Sequence, residues 1–262
     1  MILLEEFDPC KNAVIDADMC VKNKPDLYPE ITISCFSHHH LFEAVLAFFE
    51  PEEIARVGGA NGKQPIYAVT YKGKHFAFFE SRVGEPACIG DFEDMIVMGM
   101  RKLILFGNCG VLDRSIEDCG IIIPTKALRD EGSSYHYAPP ADSIEVNHKY
   151  RDLFHLVLEE HGYPYVEGTT WTTDAPYRET REKVARRKAQ GAICVEMECA
   201  GMQAAADFRN VDFFQFLYAG DNLDQATWDP RSLSGKTRLD DKGKIALLAF
   251  ELGVKILEAE GK

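Results

Sequence analysis

The segment Cys194-Val195-Glu196-Met197-Glu198 stands where an apolar stretch at 192–195 gives way to a stretch at 199–208 that is rich in alanine and small residues. The first stretch predicts a buried strand and the second a helix, which places both carboxylates at the junction. Because these carboxylates are two residues apart, they point in different directions. One can enter a cleft while the other caps the helix N-terminus, where negative charge is favourable. A pair of capping acids is the alternative interpretation.

The rest of the chain repeats this alternation of short apolar runs and helical patterns. Predicted strands lie at 31–35, 66–71, 75–80, 103–107, 121–126, 166–172, 192–195 and 213–219, and predicted helices at 39–56, 87–101, 148–161, 177–190, 196–208 and 242–260. Strands that alternate with helices indicate an α/β fold whose layers enclose a mostly buried sheet. We expect one domain over 31–262, preceded by an N-terminal arm over 1–30 that prolines interrupt.

Composition narrows the class of protein. The 262 residues are 46% hydrophobic and 27% charged, and 29 basic against 42 acidic residues give a net charge of −13. This acidity argues against nucleic acid or an anionic membrane as a partner, because phosphate groups favour a basic face. The acidity does not exclude a small anionic substrate, provided that side chains at the site supply positive charge.

The expected location is the cytoplasm. No apolar run reaches the ~20 residues that a membrane helix needs. The first residues, with acids directly after a three-residue apolar run, do not follow the pattern of a signal peptide. We therefore expect the eight cysteines to be reduced thiols rather than disulfides.

Further polar segments lie near predicted strand ends. The strand 103–107 runs into Gly107-Asn108-Cys109-Gly110, a turn of small residues that would let a ligand approach backbone N–H groups. Asp221 follows the strand 213–219, where open α/β sheets place their ligands. Between other elements lie a polar and aromatic segment at 129–137 and the segment 172–178, in which Asp174 is placed to cap the next helix. Ordinary turns produce similar residues, so each segment alone is weak evidence for a site.

In their order along the chain, these segments resemble the nucleoside phosphorylase family that contains uridine phosphorylase and the hexameric bacterial purine nucleoside phosphorylase. The resemblance covers residues 31–255, and Val195-Glu196-Met197-Glu198 is its most specific element. It implies one three-layer α/β/α domain with a mixed sheet that curls toward a barrel. It also implies cleavage of the N-glycosidic bond of a nucleoside, by phosphate in most members and by water in some. No metal or organic cofactor is implied, and family members form dimers or trimers of dimers.

The resemblance assigns roles to the two carboxylates and their neighbours. It implies that Glu198 binds the ribose 2′ and 3′ hydroxyls, that Met197 packs on the sugar, and that Glu196 lies along the base or sugar. Asp221 matches the acid that protonates the base in the purine enzymes, which favours a purine-like base. A carboxylate near the sugar and a protonated leaving group both help a transition state that resembles an oxocarbenium ion.

The same resemblance implies the remaining contacts with a nucleoside. They come from the glycine turn and from the segment that should stack on the base, namely Asn108, Cys109, Gly110, Pro176 and Tyr177.

The phosphate-binding positions depart from the family. Leu105 and Asn108 stand where the family usually has an arginine before the glycine turn and a small hydroxyl residue inside it. A family stretch of the Gly-Asp-Pro-x-x-Arg type is replaced by Cys-Phe-Ser-His-His-His at 35–40. The cations that could substitute are Arg82, His40 and, from a neighbouring subunit, Lys63.

Three functions follow from this departure. The first is a phosphorylase with rearranged anion contacts. The second is a nucleosidase that uses water, which would explain the missing arginines. The third is a non-catalytic nucleoside-binding protein. The pair of Glu198 and Asp221 disfavours the third function, because binding alone needs no proton donor.

Overall fold

The strands and helices of the computed structural model follow the alternation of apolar and amphipathic segments. The structure describes residues 2–36, 39–60, 62–234 and 236–262. The strands are β1 (Ile31–Phe36), β2 (Glu52–Gly59), β3 (Gly62–Tyr71), β4 (Lys74–Glu80), β5 (Lys102–Val111), β6 (Ile121–Asp130), β7 (Ser143–Glu145), β8 (Tyr165–Thr173), β9 (Ala192–Glu196) and β10 (Asp212–Asn222). The helices are α1 (Ala17–Cys20), α2 (His39–Leu46), α3 (Glu85–Met98), α4 (Arg151–His161), α5 (Arg181–Ala189), α6 (Cys199–Arg209) and α7 (Leu239–Ala259), with 3₁₀ turns at Leu3–Glu5, Ser133–His136 and Pro176–Arg178.

One mixed sheet curls until part of it closes. The strand order is β10-β6-β8-β9-β5-β1-β4-β3-β2, and β10 also pairs with β5. The strands β5, β10, β6, β8 and β9 therefore form a closed ring, from which the sheet continues through β1, β4, β3 and β2. Parallel pairs such as β1 with β5 occur beside antiparallel pairs such as β5 with β9. The sheet is mixed and curled, as the resemblance implies.

Helices cover both faces of the sheet because successive strand residues point to opposite sides. On β4, Phe76 and Phe78 pack in the cluster with α2, α4 and α7. Their neighbours Ala77 and Phe79 pack in the cluster with α3 and α6. The protein is thus a three-layer α/β/α structure, which confirms the predicted fold class.

The helix predicted over 39–56 is wrong in its second half. α2 ends at Leu46, and residues 52–59 form β2 in a hairpin with β3. Pro51 disfavours continuation of a helix, and the pairing with β3 is a contact that the local pattern does not reveal. The hairpin closes with Gly59 paired to Gly62, while Asn61 lies outside the described residues.

The residues before β1 are mostly exposed. Val21 and Tyr28 are the buried side chains of this segment, and both pack in the cluster with α3 and α6. Within the described ranges, every helix is too short or too polar to cross a bilayer.

The surroundings of two glycines in α7 predict opposite effects of substitution by alanine on the free energy of unfolding. A Cβ on Gly253 would lie 2.6 Å from Cε1 of the buried Phe76 ring, whereas a Cβ on Gly243 would meet nothing within 4 Å. We expect Gly253→Ala to lower the free energy of unfolding by about 1–3 kcal/mol, because the packed ring must move. Gly243→Ala should raise it by up to about 1 kcal/mol through helix propensity. Urea denaturation measures both, and a gain in stability for both variants would contradict the packing of α7 on β4.

Candidate active site

The end of β5 brings two predicted segments to either side of one glycine. Gly110 pairs with Val195 of β9 on one side and with Asp221 of β10 on the other. Two strand spacings separate Val195 from Asp221, about 10 Å. A Cβ on Gly110 would lie 2.5 Å from Leu223 Cδ1 and 3.1 Å from Asp221 Oδ1. A side chain at this position would displace Leu223 and crowd Asp221, whereas glycine leaves the Asp221 carboxyl close to the backbone of β5.

The segment 107–110 is part of β5, so the predicted small-residue turn is wrong. Its residues pair in register with β10, from Gly107 with Leu217 to Cys109 with Ala219. Long-range pairing has extended the strand and taken up backbone groups that a turn would have offered to an anion. The register shifts between Ala219 and Asp221, a local irregularity of the kind common next to active sites.

The side chains of this segment differ in what they face. The Sγ of Cys109 is buried and donates to the Tyr218 carbonyl oxygen at 3.6 Å, within a core cluster. Asn108 is half-buried, and its Nδ2 lies 3.1 Å from the position that a Cβ on Gly220 would take. Leu105 is fully buried in the core, and this position supplies no charge to the site.

Glu196 is the cap of α6. Its Oε1 accepts hydrogen bonds from Thr172 Oγ1 at 2.6 Å and Thr170 Oγ1 at 3.3 Å. Its Oε2 accepts from the backbone N–H groups of Glu198 at 2.8 Å and Cys199 at 2.6 Å. Burial raises the pKa of Glu196, and these hydrogen bonds oppose the rise. The four bonds use the lone pairs of the carboxylate, so none is left for a substrate hydroxyl.

The side chain of Glu198 takes a different direction from that of Glu196, as the spacing of two residues predicts. Its Oε1 accepts from the backbone N–H of Gly84 at 2.7 Å, and its side chain is buried where α6 begins. Gly84 has a φ of +91°, a conformation that favours glycine and aims its N–H at the carboxyl. Burial, followed by the nearby Glu196, raises the pKa of Glu198 to about 8. Met197 lies half-buried between the two carboxyls.

A further buried carboxyl, Glu85, lies directly after Gly84. Its Oε1 accepts from the Gly201 N–H at 2.6 Å, while its Oε2 is buried without a donor. Burial, followed by the interaction with Glu131, raises the pKa of Glu85 well above its usual range. Burial therefore favours the neutral form of this carboxyl.

Asp221 lines a cavity of about 1080 Å³ with Pro176 and Tyr177. The cavity brings together the acid and the two residues expected to contact a base, and the Tyr177 side chain is fully exposed in it. Glu198 does not line this cavity. The paired residues Val195, Gly110 and Asp221 form a row across β9, β5 and β10, and this row connects the cavity to the segment that carries Glu198.

Two residues near Asp221 were missed by sequence reasoning. The indole Nε1 of Trp228 donates to Asp221 Oδ2 at 2.7 Å. Burial raises the pKa of Asp221, against the opposing effects of this hydrogen bond and of Arg231. Burial and the charge of Asp221 raise the pKa of Glu179, which lines the same cavity, to about 7. A tryptophan in a polar segment seven residues after Asp221 is a signal that could have indicated Trp228.

The three candidate cations lie in or beside the elements α2, β3 and β4, and none of them lines the cavity of Asp221. Arg82 Nη2 donates to the Gly62 carbonyl oxygen at 3.2 Å, and its Nη1 lies 3.4 Å from Asp91 Oδ1. Arg82 is therefore engaged at the tip of the hairpin of β2 and β3. Lys63 and His40 are both exposed, the first beside that tip and the second in the first turn of α2. Residues 37 and 38 lie outside the described residues.

The segment 129–137 is held by its own contacts. Arg129 donates to Ser134 Oγ and to the Pro139 carbonyl oxygen, both at 2.7 Å, and stacks on the Tyr135 ring.

The expectation that Asp174 caps the next helix is wrong. Its Oδ2 accepts from the Gly132 N–H at 3.0 Å, which ties the segment after β8 to the segment after β6. Thr180 caps α5 instead, because that helix begins only at Arg181.

Comparisons with known proteins identify the family of this chain. The sequence profile of the phosphorylase superfamily matches residues 30–257. The chain belongs to this family. A DeoD-type purine nucleoside phosphorylase of Caldanaerobacter subterraneus subsp. tengcongensis is 29% identical over 172 residues, which cover 62% of this chain and 72% of that protein. A second one, from Bacillus cereus, is 26% identical over 160 residues, 59% of this chain and 66% of its own length.

A solved structure shares the fold of this phosphorylase superfamily member. The crystal structure of uridine phosphorylase from Vibrio fischeri ES114 superposes with a TM-score of 0.76 and covers 90% of this chain and 96% of its own. Its sequence identity is 18%, so the likeness concerns the fold.

The raised pKa of Glu198 predicts how stability depends on pH. Below the usual pKa of 4.5 the carboxyl is protonated in both the folded and unfolded chain. Between 4.5 and about 8 the folded protein retains a proton that the unfolded chain has lost. The free energy of unfolding therefore falls as the pH rises through this window. Glu198→Gln should flatten that fall, as measured by urea denaturation at several pH values.

The matched control is Glu145→Gln, at an exposed position of β7. This variant should keep the pH dependence of the unsubstituted protein. A Glu198→Gln variant with the same dependence as the control would show that Glu198 is ionised in the folded state at neutral pH.

Proposed function

We propose that this protein cleaves the N-glycosidic bond of a purine nucleoside with inorganic phosphate, giving the free base and a pentose 1-phosphate. The observation that carries the proposal is the row Val195, Gly110 and Asp221. It joins Asp221, a half-buried acid in an aromatic-lined cavity, to the segment that carries Glu198. Membership of the phosphorylase superfamily supports the reaction class.

Asp221 is the general acid of the proposed reaction. Burial raises its pKa, which favours the protonated form that a leaving base requires. Pro176 and Tyr177 line the same cavity, and the exposed Tyr177 ring offers a face on which the base stacks. Protonation of the base lowers the cost of breaking the glycosidic bond, because the leaving group departs neutral.

Glu198 binds the sugar in this proposal. The Gly84 N–H fixes one oxygen of its carboxyl, and Glu196 fixes the start of the helix from which the side chain projects. A carboxyl group held in this way suits the two hydroxyls of a vicinal diol. Positive charge develops on the sugar ring in the transition state, and in this proposal the ionised form of the Glu198 carboxyl stabilises it.

Phosphate requires cations, and we propose that His40, Arg82 and Lys63 supply them. Lys63 would come from a neighbouring copy in a homodimer or homohexamer, because it is exposed at a hairpin tip. Arg82 lies two residues before the Gly84 that holds Glu198, but Asp91 and the Gly62 carbonyl already engage it.

A second candidate reaction is hydrolysis by water. It is favoured by the fully buried Leu105 at the position of the family arginine and by the pairing of Arg82 with Asp91. Both reactions use the same acid and the same sugar contact, and they differ in the acceptor of the sugar.

A panel of nucleosides incubated with and without inorganic phosphate distinguishes the acceptors. We expect release of purine bases that depends on phosphate and yields a sugar 1-phosphate, as followed by chromatography of base and sugar products. Equal release without phosphate would establish hydrolysis instead. Ligand-induced thermal stabilisation without turnover would contradict both reactions and indicate a binding protein.

Substitution of the two acids tests their roles. We expect Asp221→Asn to lower kcat on purine nucleosides by about 10²-fold or more, since general acid catalysis contributes roughly 10²–10⁴-fold. Its effect on pyrimidine nucleosides should be much smaller. Glu198→Ala should abolish cleavage of both classes, because it removes the sugar contact. Asp240→Asn, at an exposed position in the first turn of α7, is the control. An equal loss on purine and pyrimidine nucleosides would contradict base protonation by Asp221.

A further inference from the structure

The loop after β10 carries Trp228, whose side chain contacts Asp221, and hydrogen bonds hold this loop in place. The backbone groups of Asn222 and Asp229 exchange two hydrogen bonds, at 2.9 and 3.2 Å, and so close the loop that carries Trp228. Arg181 donates to the carbonyl oxygens of Gln225 and Ala226 from α5. The loop is therefore held both at its base and along its length.

The hydrogen bond from Trp228 to Asp221 favours one position of the acidic proton. An indole N–H can only donate, so the Oδ2 atom of Asp221 that it contacts at 2.7 Å is an acceptor. The carbonyl oxygen of a protonated carboxyl is a stronger acceptor than its hydroxyl oxygen, so this contact favours the proton on Oδ1. That oxygen lies on the side of Gly110, 3.1 Å from the position of a Cβ there, and so toward the segment of β9 that leads to Glu198.

The Trp228 ring has a second property that its hydrogen bond does not require. It remains 60% exposed and lines the same cavity as Tyr177, whose side chain is 100% exposed. Exposed aromatic rings at a cavity offer apolar faces to a flat ligand. Trp228 thus offers an N–H to the acid and a ring face to whatever fills the cavity.

We propose that Trp228 is a positioning residue for Asp221, holding the carboxyl so that its proton is on Oδ1 and faces the bond to be cleaved, while its ring forms part of the base site. This inference rests on the proposed function. Other charged groups act on the same carboxyl: Arg231 and Asp229 from the same loop and Glu179 from the turn before α5, with Lys183 acting on Glu179.

Two substitutions separate the N–H from the ring. Trp228→Phe keeps an aromatic ring and removes the donor, so kcat should fall about tenfold, a part of the roughly 10²–10⁴-fold that general acid catalysis provides, with little change in KM. Trp228→Leu removes both and should also raise KM. In Trp228→Phe, the pH at which activity is lost on the alkaline side should rise. The donor that favours the ionised carboxyl is gone, so the acid stays protonated to higher pH.

A spectroscopic measurement reports the contact without any activity. The chain has two tryptophans, and the other one, Trp171, is fully buried. Ionisation of Asp221 should change the emission of Trp228, so a pH titration of intrinsic fluorescence should show a transition that Asp221→Asn and Trp228→Phe both lose. Glu179→Gln should keep a transition. Phe48→Leu replaces an aromatic side chain that is 70% exposed elsewhere, and it should leave kinetics and fluorescence unchanged.

The outcomes separate this inference from the proposed function. An active wild type whose Trp228→Phe variant keeps its kcat, KM and alkaline limb would overturn the inference alone. A fluorescence transition that survives in Asp221→Asn would overturn the contact on which it is built. Absence of base release from every nucleoside by the wild-type protein would overturn the proposed function and this role together.

Discussion

The carboxylate of Glu196 ties together three elements that meet at the site. It accepts hydrogen bonds from two hydroxyl groups of β8 and from two backbone N–H groups at the start of α6, and Glu196 is itself the last residue of β9. Removing the carboxylate would leave these buried donors without partners, which costs far more than an average hydrogen bond contributes. The direction of α6, and with it the position of Glu198, is therefore set by a side chain that has no lone pair left for a ligand.

Buried carboxyl groups dominate the electrostatics around the site. Burial is the largest cause of the raised pKa of Glu85, Glu196, Glu198 and Asp221, and nearby carboxylates add to it for all of these except Glu196. A protein of net charge −13 thus concentrates acids in a region where some of them hold protons at neutral pH. Such groups can donate hydrogen bonds and protons, which ionised carboxylates cannot. The negative formal charge overstates the field that an anionic co-substrate would meet.

The local pattern of apolar and polar residues was sufficient to predict elements with a continuous apolar run or a regular apolar face. The strands around 31–35 and 75–80 and the helix around 242–260 were predicted because their residues face one or two buried layers. The segments carrying Glu198 and Asp221 were found because an acid that follows an apolar run is a local signal. The pattern could not show that β2 pairs with β3, or that 107–110 is held as strand between β9 and β10, because both depend on distant partners. Trp228 and Glu179 were missed for the same reason. A tryptophan in a polar segment is a local signal, but only the fold shows that Trp228 contacts Asp221 and that Glu179 lines the same cavity.

The closed ring of strands also has a consequence for how the protein folds. β5 lies at 102–111, and the two strands that flank its end lie at 192–196 and 212–222, so closure joins segments that are far apart along the chain. Contacts of such high sequence separation form late and slow folding, because the chain loses its loop entropy before the pairing is gained. The row Val195, Gly110 and Asp221 is part of that closure. A chain in which β1, β4, β3 and β2 are paired while the ring is still open would therefore lack the site.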